Sequence, residues 1–208
     1  LLLLFFLGST LLISFVTSIR PQIFSLLIIA LVLRRLIQPG TPWEIPYILF
    51  LTVIGTNIHV YWCIIPILWV LYRIIPELIH REVPSRSAWL TTILLSLCGF
   101  LTPYGWRSYE LLWEYVNIDP YLRSTIHEFR PSLGLGGYAP ALILLSIAVA
   151  VRTFRLRYAL ARASDLGAML VGLALALKSI KFISLFAIFG IPFLIRPAGI
   201  AVRKYAPS

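Results

Sequence analysis

The sequence predicts an all-α protein: a polytopic transmembrane helical bundle of about eight spans, with some short or broken helices and one outer interfacial helix. Three observations predict it. Hydrophobic residues make up 60% of the 208 residues and charged ones only 12%. The mean hydropathy is +0.91, which is too apolar for a chain of this length folded in water. The apolar residues fall in runs close to the roughly twenty needed to cross a hydrocarbon core as a helix. The charges sit between those runs, so the net charge of +10 is dispersed and forms neither the arm nor the stripe of a nucleic-acid-binding protein. Lipid is the expected surrounding, and nucleic acid is not an expected partner.

In chain order, the first apolar run is Leu1 to Ile19. It lacks both the basic start and the small-residue cleavage site of a signal peptide, so it reads as an internal span of a longer chain. Residues 1–208 then form a single transmembrane domain that is a fragment of a larger protein. A second span, Gln22 to Ile37, follows Arg20-Pro21. The stretch from Trp43 to Ile75 would be roughly 50 Å long as one helix, too long to cross once. It is expected to break at Gly55-Thr56-Asn57-Ile58-His59, giving a short third span and a fourth from His59 to Ile75. Ala88 to Leu101, Tyr138 to Val151, Leu166 to Leu177 and Phe182 to Ile195 complete the set, with the third, seventh and eighth short. Cys63 and Cys98 both lie inside apolar runs and read as small buried hydrophobes.

Charge orients the bundle, because short cytoplasmic loops collect lysine and arginine. With the loop after the second span inside, the cytoplasmic side receives twelve basic and four acidic residues, among them Arg34, Arg35, Arg73, Arg81, Arg86 and the Arg152 to Arg162 cluster. The outer side receives six basic and four acidic residues. The carboxyl terminus is then cytoplasmic, and the expected location is a bacterial inner membrane.

This topology gathers Arg20-Pro21-Gln22, Asn57-Ile58-His59, the 102–137 loop and Lys178-Ser179-Ile180-Lys181 at the extracytoplasmic boundary. Ionisable groups at that depth are costly unless they pair or line a watery cavity, so a shared site is expected. Each group also has a plainer reading. Arg20 before Pro21 suits a helix terminus with a snorkelling guanidinium. Asn57 and His59 suit the satisfaction of backbone groups freed where the long stretch breaks. Lys178 and Lys181 suit a solvated turn, but two cations so close together between apolar spans also suit an anionic ligand such as a phosphate. In the outer loop, Trp106, Tyr109, Trp113 and Val116 recur at helical spacing beside Arg107, Glu110, Glu114 and Asn117. The pattern predicts an amphipathic helix lying at the interface or packing over the bundle. Glu128 and Arg130 lie farther along the same loop. No nucleophile triad, metal-ligand spacing or phosphate loop is recognisable, so neither a metal nor a cofactor is expected.

Several motifs occur in series: Arg20-Pro21-Gln22 opening a leucine-rich helix, the Asn57-Ile58-His59 break, Thr102-Pro103-Tyr104-Gly105-Trp106-Arg107, Glu128-Phe129-Arg130-Pro131, and a lysine-bearing turn before Phe182-Ile183-Ser184-Leu185-Phe186. Their order resembles bacterial polytopic proteins of the GT-C glycosyltransferase type, related to the dolichyl-phosphate-mannose protein mannosyltransferases. Thr102 stands where the family pattern has asparagine, and Val60 follows the histidine where it has glycine. The resemblance implies transfer of a sugar from a polyprenyl-phosphate donor to an acceptor outside the cytoplasm. The acidic catalytic loop of the family would precede Leu1, so the catalytic residue is unassigned. Arg20, Asn57, His59, Lys178 and Lys181 are the implied contacts to the donor phosphate or headgroup; Glu110, Glu128 and Arg130 are the implied acceptor-side groups. Two other classes stay open. One is a non-catalytic integral membrane subunit or scaffold that contacts other membrane subunits through its aromatic surface. The other is a transporter, although no two-half repeat is visible.

Overall fold

The computed structural model describes residues 21–38, 42–117, 163–178, 182, 184–190 and 192. The described residues are helical with short turns between, and no strand occurs among them. The chain divides into two compact units, Leu1–Ile118 and Asp119–Ser208.

In the first unit, helix α1 spans Pro21–Ile37. Proline suits its first position, where the missing N–H costs nothing, and Arg34 and Arg35 oppose the negative end of the helix dipole in the last turn. Its buried face, Ser25, Ile28, Ile29, Val32, Leu33 and Leu36, follows the three-four spacing of one helix side. Helix α2 spans Glu44–Thr56 and ends at the expected break. The Asn57 amide caps that end by donating to Val53 O at 2.9 Å.

Helix α3, Val60–Ile79, is the one helix among the described residues that is long and apolar enough to cross a membrane. It starts within one residue of the expected fourth span and continues past Ile75 to Ile79. It is not uniform. Val60–Cys63 is a tight 3-10 turn, and Val70–Ile74 is a wide π turn in which the Ile75 N–H reaches Val70 O. Pro76 explains the π turn: it has no N–H for the Tyr72 carbonyl, and its ring crowds that carbonyl, so the hydrogen bonds upstream slip by one residue.

Helix α4 spans Arg86–Leu101, with its last turn, Cys98–Leu101, tightened to 3-10. Ser85 caps its start, its hydroxyl accepting from the Ala88 N–H. The burial pattern of α4 is inverted relative to a water-soluble helix. Ala88, Thr91, Leu95, Cys98 and Gly99 face inward, while Trp89, Leu90, Ile93, Leu94, Leu97, Phe100 and Leu101 face out. Helix α2 is mixed: Ile48 and Leu51 are buried together with Thr52, Gly55 and Thr56, while Tyr47, Phe50 and Ile54 are exposed. Helix α5, Arg107–Val116, follows a turn in which Gly105 adopts a φ of 50°.

In the second unit, helix α6 spans Ala163–Lys178 and turns Ser164, Asp165, Ala168, Met169, Gly172 and Ala176 inward. A Cβ on Gly172 would lie 2.9 Å from the Phe186 Cα, so this helix and the helical segment 184–190 approach backbone to backbone. The expected spans Leu1 to Ile19 and Tyr138 to Val151 lie outside the described residues, as do most of the expected outer loop and residues 183, 191 and 193–195 of the last span.

Candidate functional site

The two ends of the first unit's helices carry different chemistry. At one end, the α2–α3 break meets the end of α4 and the start of α5. His59 is extended (φ −163°, ψ 155°) and caps the first turn of α3: its Nδ1 accepts from the Tyr61 N–H at 3.4 Å. Its ring also meets Tyr61 edge-on at 4.5 Å. Thr102 and Ser108 are both buried and share a hydrogen bond of 2.7 Å that ties the end of α4 to α5.

Tyr109 sits at the middle of this end. It lies edge-on to Trp62 at 5.7 Å and tilted against Phe100 at 4.7 Å, and its hydroxyl donates to Ser96 O at 2.6 Å. Partial burial raises the Tyr109 phenol above its usual pKa, with a smaller upward contribution from Cys98. Trp106 stacks beside it at 6.0 Å, and its indole N–H donates to Glu110 Oε1 at 2.8 Å. The expected aromatic stripe of α5 therefore divides. Tyr109 packs inward, whereas Trp106 and Trp113 are 62% and 71% exposed.

Three of the residues expected at the outer boundary, Asn57, His59 and Glu110, thus lie at one end of the first unit, each engaged by its own neighbours. Lys178 belongs to the second unit, where it is exposed in the last turn of α6, at the end of the dipole that favours a cation. Lys178, expected in a turn, is the last residue of the helix. Arg20, Lys181, Glu128 and Arg130 lie outside the described residues.

The opposite end brings together Arg73, Glu44 and Glu77. Arg73 comes off the π turn of α3 and pairs with Glu44 in the first turn of α2. Its Nε donates to Glu44 Oε1 at 2.8 Å, and its Nη2 contacts the same oxygen. Nη1 donates to Tyr72 O at 3.1 Å, so the guanidinium takes up the carbonyl that Pro76 leaves without its helical donor. The guanidinium also lies 5.7 Å from the centre of the Trp69 ring, within cation–π range, and the Trp69 indole donates to Ala88 O at 3.1 Å. Glu77 Oε2 accepts from the Ser85 N–H at 3.2 Å. These groups line a cavity of about 330 Å³.

Arg73, which falls within the expected fourth span and is counted among the cytoplasmic charges, is a largely buried member of α3. The signal was present, since an ionisable residue inside an apolar run demands a partner. What the sequence could not name was Glu44, 29 residues away on another helix. Asp165, fully buried in the first turn of α6, was likewise counted as a loop charge. Among the described residues, no three His, Cys, Asp or Glu side chains group as a metal site would require. No family model, curated protein or solved structure matches the chain.

Proposed function

We propose that the chain is the membrane-embedded part of a polyprenyl-phosphate-sugar-dependent glycosyltransferase of the GT-C type, acting on the extracytoplasmic face of a bacterial inner membrane. In this reading it is a bundle of eight spans with its carboxyl terminus in the cytoplasm. The observation that carries the membrane part is the packing of α4, which leaves seven large apolar residues facing out while Ala88, Thr91, Cys98 and Gly99 face in beside Leu95. Water penalises that arrangement, whereas hydrocarbon favours it: lipid tails cover the outer face, and small residues let neighbouring helices approach. The exposed Trp106 and Trp113 suit headgroup depth, where an indole is apolar on its ring and polar at its N–H.

Support for the glycosyltransferase comes from the meeting of the His59 break, Thr102 and the amphipathic α5 at one end of the first unit. In the mechanism, Arg20, Asn57, His59, Lys178 and Lys181 would hold the donor phosphate and stabilise the charge growing on it as the sugar leaves. Glu110, Glu128 and Arg130 would orient the acceptor. The carboxylate that would take the acceptor's proton is unassigned. The test is lipid-phosphosugar turnover by the full-length protein carrying both Lys178→Ala and Lys181→Ala. A fall of about tenfold or more is expected from the loss of charge-assisted contacts to phosphate; unchanged turnover would sink the phosphate role.

A second reading has its own observation. Asn57 and Glu110 already satisfy neighbouring groups of the chain itself, a backbone carbonyl and an indole N–H. That favours a non-catalytic membrane subunit whose exposed aromatic surface contacts other subunits. Purification in fixed stoichiometry with another membrane protein, together with absent turnover, would select it.

A further inference from the structure

Three rings gather where α4 ends and α5 begins. Phe100 and Tyr109 lie 4.7 Å apart, and each stands near-parallel to Trp106, at 6.4 Å and 28° and at 6.0 Å and 29°. Two rings on opposite faces of the indole would be separated by about the sum of the two longer distances. Both therefore lie to one side of it, and its other face is open, in keeping with the 62% exposure of Trp106. The indole is also held in place. Its N–H donates to Glu110 Oε1 at 2.8 Å, which removes the rotational freedom of an ordinary surface tryptophan. Glu110 Oε2 accepts from no group among the described residues. The result is a fixed aromatic face with an accepting oxygen at its edge.

We propose that this platform binds the sugar headgroup of a membrane lipid, with a pyranose ring stacked on the open face of Trp106 and its hydroxyls donating to Glu110. A pyranose with equatorial hydroxyls has a flat face of C–H bonds, which suits the electron-rich face of an indole. It also has a rim of O–H donors, which suits a carboxylate. Other ligands use one part and not the other. An apolar surface would cover Trp106 and strip water from the Glu110 carboxylate without replacing its hydrogen bonds. An anionic headgroup would meet Glu110 and Glu114, both exposed, with Arg107 the one cation on α5. A quaternary ammonium calls for several ring faces turned toward one point, whereas Phe100 and Tyr109 turn theirs to Trp106. The lipid-borne source follows from Trp113, exposed two turns along the same side of the helix. Two tryptophans so placed set α5 at headgroup depth, where a sugar carried by a lipid lies. The proposal deepens the acceptor side of the glycosyltransferase reading and rests on it for the face of the membrane.

The experiment uses the full-length protein in phosphatidylcholine nanodiscs that contain either monoglucosyldiacylglycerol or the same diacylglycerol without its sugar. Retained lipid is read by native mass spectrometry, with no sugar donor present. Retention of the glucosyl lipid over the diacylglycerol is expected, with displacement by methyl glucoside only at far higher concentration. Trp106→Ala should weaken that retention at least tenfold through the lost apolar contact. Glu110→Gln should weaken it about tenfold, the size of one charge-assisted contact. Both side chains are exposed, so neither change opens the core. Trp113→Ala should leave retention unchanged, and an equal loss there would reduce both tryptophans to interfacial anchors and overturn the proposal. Retention unaltered in Trp106→Ala, displacement by choline in place of methyl glucoside, or methyl glucoside bound as tightly as the lipid overturns it as well. Sugar transfer is assayed separately. Absent transfer with intact retention sinks the glycosyltransferase reading alone, and absent retention with transfer to another acceptor sinks the platform alone.

Discussion

Arg73 serves three groups with one side chain: the Glu44 carboxylate, the Tyr72 carbonyl and the Trp69 ring. Glu44 is left without its counter-charge if the guanidinium goes. Both charges are largely buried, with side-chain exposures of 17% for Arg73 and 12% for Glu44. At that depth the loss of one partner is worse than the loss of both, since the survivor keeps its desolvation penalty without compensation. Glu44→Gln is therefore expected to lower unfolding stability by about 3 kcal/mol. The double variant Glu44→Gln, Arg73→Met should lose less than the sum of the two single changes. Chemical denaturation in micelles measures both, and strict additivity would show that the pair is not coupled. At this scale the sequence revealed the need but not the partner. Arg73 within an apolar run asks for a carboxylate, while the choice of Glu44 over Glu77 is made by the way α2 packs against α3. His59 is the converse case. Its place at the break was legible from Asn57-Ile58-His59, and its bond to the Tyr61 N–H follows from the extended backbone there.

At the scale of elements, α3 shows how one proline changes what a helix presents. Pro76 displaces the hydrogen bonds into a π turn, and the displaced turn carries Arg73. The start of α1 and the end of α2 were visible in the sequence because caps and breaks are local, as at Pro21 and Asn57, whereas the Ser85 cap starts α4 two residues before the expected Ala88. The π turn was not, because a proline in an apolar run signals a kink without saying how it is absorbed. Contact between α3, α4 and α5 depends on Gly99, where an added Cβ would lie 2.7 Å from Trp62 Cζ2 and 2.8 Å from Tyr109 Cζ. Neither ring has an easy retreat, since Trp62 is buried and Tyr109 is held by its bond to Ser96 O. Gly99→Ala should cost about 1–3 kcal/mol through overpacking and loosen α5. Protease accessibility between Thr102 and Arg107 reports the second effect. A variant as stable and as protected as the parent would mean that the rings yield without strain.

For the whole molecule, the deciding question is which solvent covers the outward faces of α2 and α4. Ile93 lies near the middle of α4 and is 54% exposed. In hydrocarbon, lysine at such a depth costs about 3 kcal/mol, whereas on a water-exposed surface the same change is worth within about 0.5 kcal/mol. Ile93→Lys should accordingly reduce membrane insertion of the full-length protein several-fold, measured by carbonate extraction of membranes. An unaffected variant would remove the basis of the membrane reading. The all-helical character was legible because composition and run length report the solvent directly. The joining of the His59 break to Thr102 and α5 was legible only through charge counting, which sorts loops by side without saying which touch. The inverted packing of α4 also sets how the chain tolerates change. At Leu90, Ile93 and Leu97 any oily side chain of whatever shape should serve, since fluid tails conform to it. At Ala88, Thr91 and Gly99 the limit is volume, and a modestly polar but small residue should outlast a larger apolar one. Variation along this helix would then alternate between two rules, greasiness on one side and size on the other.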